Sequence, residues 1–451
     1  MSGTRKILIL GNGFDLAHFL PTKYDHFMHA MRSVETYSQD KPMTFNDLYT
    51  DLISNENYFF ENTIKLYKTE KVTLSLNEVK KLQEKLRSNG WFQYFKSYID
   101  SGIETWIDFE NEMETVLDAV CHMITEIEGN IEYFISTLDK SKSFLSTDLF
   151  NIQLIRKYPF LHDILCKFSI ADENDIADGK GLTINPSFIK YYQHNPLNID
   201  ESKIFKSLEL QLTQFIDIFS DYIEFIDRLE LNLKLKVPKV LEDKLETIYS
   251  FNYSSTIDRL YKHKNIRFLH GKAGEQESNK IVLGISELEN KLLKDEKTYG
   301  FVKYYQKMVN NTDYQFLKPK SLIAEIEDRK VKNEGFEFWH PIEIYIWGHS
   351  LDSSDSDYVH EIFSFNNGVE NSIRVIVYYY DKPHAQMANL ISILGKDIVE
   401  SWMKNEWLEF IRMPDIYKLN FDKLYLDSST SEFSRSVSKP IIEYKPIIMS
   451  F

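Results

Sequence analysis

The stretch "KILILGNGFDLAHFLPTKYDHF", residues 6–27, decides how this chain is read. A short apolar run with strand preference meets Gly11-Asn12-Gly13, and a helix-like segment follows that stops at Pro21. Strand, glycine turn and helix together can bring backbone amides to a phosphate. The third glycine of the dinucleotide fingerprint is absent, and Leu16 occupies its place. The turn therefore reads either as one wall of a nucleotide site or as a tight corner that needs positive φ.

Working outward, further strand-like runs appear late in the chain: "TIYSFNY" (247–253), "IRFLHG" (266–271), "KIVLGI" (280–285), "EIYIWGHS" (343–350) and "RVIVYYY" (374–380). Their hydrophobicity is continuous rather than alternating, which suits parallel strands covered on both faces. Segments between them, such as "SSTIDRLYKH" and "SDYVHEIFSF", read as helices. The expected fold is α/β, a doubly wound, mostly parallel, Rossmann-like sheet. The middle of the chain differs. Phe109, Met113, Val116, Leu117, Val120, Ile124 and Ile127 recur at helical spacing, as do Ile204, Leu208, Leu212, Phe215, Phe219, Tyr222, Ile226 and Leu229. Residues 194–203 read as the loop before the second of these helices. The expected organisation is an α/β domain of residues 1–30 and 241–413, a large α-helical insertion over 31–240, and a Ser-rich extension over 414–451.

Composition narrows the function. The chain has 451 residues, of which 43% are hydrophobic, enough for a large core and against disorder. Its 68 acidic and 53 basic residues leave a formal charge of −15, a field that disfavours nucleic acid. Cys121 and Cys166 are too few for a tetrathiolate zinc site and read as small buried hydrophobes. No apolar run approaches the ~20 residues of a membrane span, and "MSGTRKILIL" does not resemble a secretion signal. The expectation is a cytoplasmic protein with no membrane partner.

Carboxyl ends of parallel strands gather ligands. Reading only those ends gives Gly11-Asn12-Gly13, Asn252-Tyr253-Ser254, His270-Gly271, Gly284 and Gly348-His349-Ser350. His270, between a strand and a glycine, is the candidate for proton transfer with a sugar hydroxyl, against the commoner role of a packed histidine. Asn252 places a water or a ribose oxygen, or else forms an Asx turn. Thr22 and Tyr24 line a wall or a turn. Phe14 and Asp15 follow the glycines; the charge of Asp15 opposes a phosphate, so it caps the helix or accepts a ribose hydroxyl. His349 suits a ligand wall or a cap, Ser254 and Ser255 suit caps, and Asp355 reads as structural. In "WIDFENEME" (106–114), Asp108 caps a helix whose Glu110 and Glu112 favour its positive end. The alternative is an acidic group offered to the sheet edge. No zincin, Walker or nucleophile-elbow spacing occurs, so no metal is expected.

"ILILGNGFDLAHFLPTKYDHF", "WIDFE", "SFNYSSTIDRLY", "FLHGKAGE", "VLGI" and "IYIWGHSLDSSDSDYVHEIF", in that order from residue 7 to about 363, resemble the bacteriophage abortive-infection AbiH proteins. The resemblance implies phage defence in a bacterial cytoplasm, with a phage-derived trigger protein and self-association as the partners to expect. The strand-end series is also similar to that of sirtuin-like NAD-binding domains. On that comparison Gly11 and Gly13 match the diphosphate turn, Asn252 the nicotinamide-ribose contact, His270 the catalytic histidine, and Gly348 and Ser350 the adenosine-side turn. Asp15 departs from the small or hydroxyl residue usual there. Ser254 replaces an acid, with Asp258 one turn later, and the four-cysteine zinc module is absent. The comparison implies hydrolysis of NAD as a substrate rather than protein deacetylation, with Asn12, Phe14, Thr22, Tyr253, Gly271 and His349 completing the pocket. Two competing expectations are a non-catalytic nucleotide-binding phage sensor and a nuclease or RNA-directed toxin using Asp15, His18 and the acidic cluster with Mg²⁺.

Overall fold

Six of the chain's strands form one sheet in the computed structural model, which describes residues 4–97, 106–132, 144–145, 158–176, 179–193, 195–274, 280–312, 316–317, 324, 328, 342–368 and 373–423. These are β1 (Arg5–Leu10), β2 (Leu245–Ser250), β3 (Ile266–Phe268), β4 (Ile342–Trp347), β5 (Ile373–Tyr379) and β6 (Leu408–Arg412). Their spatial order is β3-β2-β1-β4-β5-β6, and every neighbouring pair is parallel. The helices that matter below are α1 (Asn12–Ala17), α2 (Tyr24–Thr36), α3 (Trp106–Gly129), α4 (Glu201–Asp227), α5 (Thr256–Tyr261), α6 (Lys303–Asn310) and α7 (Ser356–Gly368).

The continuous apolar strands divide by the two-residue period of the pleat. Ile7, Ile9, Ile344, Ile346, Val375 and Val377 face a core with Val359, Ile362 and Phe363 of α7. Leu8, Leu10, Tyr345, Trp347, Ile376 and Tyr378 face another with Phe14 of α1 and Ile257 of α5. Both faces are covered, so each strand could be apolar throughout.

Between β1 and β2 the chain leaves the sheet for residues 11–244. The apolar positions expected on α3 and α4 are all buried. Phe27 of α2 packs on Phe215 and Phe219 of α4 with ring centroids 5.6 and 5.2 Å apart, and Phe109 of α3 stacks on Phe215 at 5.3 Å. Among the described residues no helix is long and apolar enough to cross a membrane.

Several expectations need correction. The first helix ends at Ala17 rather than Pro21, because the Asp15 carbonyl takes both the His18 and the Leu20 amides and Phe19 turns left-handed at φ 56°. Residues 280–285 form no strand. The side chain of Gln306 satisfies both the amide and the carbonyl of Leu283, a role a neighbouring strand would have filled. Asn195–Ile199, expected within a loop, pairs antiparallel with Ile189–Tyr192. The edge strand β6 went unread in the sequence, and part of the expected tail is a helix, Ile416–Phe421. Cys166 is only partly buried, whereas Cys121 is enclosed. Ser255 precedes α5, yet its amide and hydroxyl bond Asp227 rather than capping the helix. The side chain of Asp108 and the extension beyond residue 423 lie outside the described residues.

Candidate functional site

The sheet order changes direction at β1, with β2 on one side and β4 on the other, and a cavity of about 470 Å³ opens at the carboxyl ends there. Gly11, Asn12, Gly13 and Asp15 reach it from β1 and α1, and Asn252, Tyr253 and Ser254 from β2. His270 enters after β3, and Gly348, His349 and Ser350 after β4. Thr22 completes the expected set. Phe14 and Gly271 do not line the cavity. The Phe14 ring lies beneath it, 4.4 Å from His18 and 5.0 Å from Trp347, and Gly271 turns at φ +79° where a Cβ would strike the Lys280 carbonyl.

The glycine turn is explained by packing. Gly11 sits in extended backbone at φ −119°, and a Cβ there would lie 2.6 Å from the Gly348 oxygen and the His349 Cα. One on Gly13 would lie 2.7 Å from the Gly348 Cα. Positive φ is required at Gly348 instead, at +77°. The exits of β1 and β4 thus cross in backbone contact, which three glycines permit. Gly11 donates its amide to the Trp347 carbonyl at 3.0 Å and Gly13 to the Gly348 carbonyl at 2.8 Å, so neither amide points to a ligand.

Asp355 is the electrostatic centre. Its Oδ1 faces His270 Nε2 at 3.3 Å, within charge contact but out of line for a hydrogen bond, and its Oδ2 faces His349 Nε2 at 3.4 Å. His349 Nδ1 accepts the Leu351 amide at 2.9 Å, which leaves the ring proton on Nε2, toward Asp355. Burial alone would raise the Asp355 carboxyl. The two histidines and Lys303 outweigh burial and hold it well below the ordinary range. Burial pushes His270 down to about 4 against the pull of Asp355, so at neutral pH its imidazole is an unprotonated acceptor. In the sequence Asp355 read as structural; among three aspartates in "SLDSSDSDY", nothing marks it as the one carried between two histidines.

Two further groups come from outside the sheet. Glu110 of α3 pairs with Lys303 of α6 at 2.5 Å, and burial lifts the Glu110 carboxyl to about 7 against that lysine. The acidic helix therefore does reach the sheet edge, through Glu110; Glu112 instead accepts the Tyr94 hydroxyl at 3.0 Å. Lys303 had no sequence signal, being one lysine at the start of an ordinary amphipathic helix.

Asp15 is 1% exposed. Its Oδ2 accepts the Ser254 hydroxyl at 2.5 Å, while its Oδ1 has no hydrogen-bond partner. Burial raises it to about 6, opposed by the nearby hydroxyls of Ser254 and Thr256. Asn12 and Thr22 hold each other, Thr22 Oγ1 donating to Asn12 Oδ1 at 2.6 Å. Asn252 is also buried with its Oδ1 unpartnered. His18, expected as a metal ligand in the nuclease reading, is a core residue: Nδ1 donates to the Phe14 carbonyl and Nε2 accepts the Tyr261 hydroxyl, both at 2.7 Å. Beside the cavity, Asp25, His26 and Glu56 have donor atoms within 4.8 Å of one another. Lys23 Nζ already occupies Glu56 at 2.9 and 3.0 Å.

Four carboxylates and two lysines line the cavity, and both lysines are paired with carboxylates. The site is therefore acidic, built around a buried histidine–aspartate–histidine group. No curated protein and no solved structure matches the chain. A family model described as bacteriophage abortive infection AbiH matches residues 7–379, the span that contains every group described above, and the chain belongs to the AbiH family.

Proposed function

We propose that this abortive-infection protein cleaves the nicotinamide–ribose bond of NAD. The observation that carries the reading is Asp355 held between His270 and His349 at the switch point of a doubly wound sheet. A cavity of about 470 Å³ falls within the ~300–1,000 Å³ usual for small-molecule sites. Cleavage at a sugar carbon develops positive charge on the ribose, which an acidic cavity stabilises. As the ribose carbon–nitrogen bond breaks, its electron pair returns to the pyridinium nitrogen and neutralises it. Water forms the new bond to the same carbon, and its proton passes to His270, giving nicotinamide and ADP-ribose. The imidazolium so formed is stabilised by Asp355, while Asn252 orients the water or the sugar. The helical insertion closes the cavity from above by bringing Glu110 and Phe219 to its wall.

Purified protein incubated with NAD should release nicotinamide and ADP-ribose. His270→Ala and Asp355→Asn should each lower the rate by roughly 100-fold or more, the scale of a general base. Turnover unchanged in both variants refutes the reading. Binding of NAD without nicotinamide release points to a sensor instead.

A further inference from the structure

Two acceptor atoms stand out on residues that line the cavity. Asp15 is 1% exposed and Asn252 is 6% exposed, and the Oδ1 atom of each is enclosed without a hydrogen-bond donor. Buried acceptors without donors are costly, and one on a residue that lines a cavity is accounted for by a donor that arrives with a ligand. Three nearby donors are committed elsewhere. Ser254 Oγ gives its proton to the other Asp15 oxygen, Thr22 Oγ1 gives its own to Asn12, and the Gly13 amide is on the Gly348 carbonyl. Each residue thus holds an acceptor in want of a donor, so their complement carries hydroxyl groups, and the Asp15 carboxylate disfavours a negative charge.

We propose that Asp15 and Asn252 form a receptor for the vicinal diol of a nucleotide ribose, rather than for the phosphates that the glycine turn suggests. The inference rests on the reading that the cavity takes a ribonucleotide, and it reverses the polarity that a glycine-rich turn ordinarily implies. An ionised Asp15 accepts a ribose hydroxyl at Oδ1 while Oδ2 stays on Ser254, and Asn252 Oδ1 accepts the neighbouring hydroxyl. The phosphates lie away from Asp15, because its carboxylate repels them.

The test is calorimetric binding of ADP-ribose and of its 2″-deoxy counterpart to the full chain and to Asp15→Asn. Removing one hydroxyl should weaken binding to the natural chain roughly 10- to 100-fold, the scale of a hydrogen bond to a charged acceptor. Asp15→Asn should weaken ADP-ribose and largely abolish the difference between the two ligands. Asn252→Ala, read in the same way, provides a second variant at the neighbouring acceptor. Equal affinity of the natural chain for both ligands, discrimination that persists in Asp15→Asn, or no binding of ADP-ribose overturns the proposal. The readout is affinity, so a chain that discriminates the two sugars yet releases no nicotinamide keeps the diol receptor and loses the cleavage reading.

Discussion

Replacing Asp15 by asparagine should make the protein more stable at neutral pH. Burial raises this carboxyl from 3.8 to about 6. A shift of about 2 units at ~1.4 kcal/mol each amounts to about 3 kcal/mol of destabilisation once the group is ionised. The sign follows from the direction of the shift. The folded chain holds the Asp15 proton more tightly than the unfolded chain, so the stabilisation is complete below about 3.8 and is lost as pH rises through about 6. Asparagine keeps the shape and an acceptor for Ser254 but does not ionise. Urea unfolding at pH 7 should therefore show Asp15→Asn ahead by about 2–3 kcal/mol, and the gap should narrow by roughly 1 kcal/mol at pH 5. Comparing the two proteins at each pH cancels carboxyls shifted the other way, such as Asp355 and Glu56, which weaken both on acidification. A variant no more stable at pH 7, or a gap that does not move with pH, refutes the reasoning. The expected gain identifies Asp15 as a residue kept against stability, as sites for ligands often are.

Gly348→Ala places a Cβ 2.1 Å from the Phe14 amide nitrogen at φ +77°. It should cost more than about 2 kcal/mol in urea unfolding, and a loss below ~1 kcal/mol contradicts the crossing of β1 and β4 described here. Burial lifts Glu110 from 4.5 to about 7 despite Lys303, so its ionised form is disfavoured in the fold. As for Asp15, Glu110→Gln should therefore be no less stable at pH 7, with the difference from the natural chain moving in its favour as pH rises from about 4.5 to 7. A loss of several kcal/mol in urea unfolding at pH 7 would show that the ion pair outweighs the burial of its carboxyl.

The sheet was legible because its physics is written in short words. Strands covered on both faces must be apolar throughout, and β1, β2, β4 and β5 announce themselves that way. The three-residue β3 lies within the apolar run "IRFLHG", which reads as a strand ending on glycine. The edge strand β6, with Glu409 pairing Arg374 across the sheet, lacks that signature. Gln306 misled the reading of residues 280–285, since one distant side chain did the work of a strand. The strand-end rule located the cavity and most of its wall. It could not select Asp355, Glu110 or Lys303, because their importance depends on burial beside one another. Nor could it tell that Gly11 and Gly13 answer to Gly348 rather than to a ligand, a distinction set by contacts across more than three hundred positions of chain.

β1 is the first strand made and lies in the middle of the sheet, while its neighbours β2 and β4 begin at Leu245 and Ile342. At ~5–20 residues per second of synthesis, the 234 positions between Leu10 and Leu245 take roughly 12–47 seconds to emerge. Through that interval an apolar strand waits unpaired, exposed to aggregation and to chaperones. Asp355 arrives later still, so every ribosome-bound fragment short of it lacks the central carboxylate. The chain order therefore withholds the complete site until late in synthesis. A fragment that stops short of Asp355 lacks the histidine–aspartate–histidine group, and the cavity is whole only once its last wall has been synthesised.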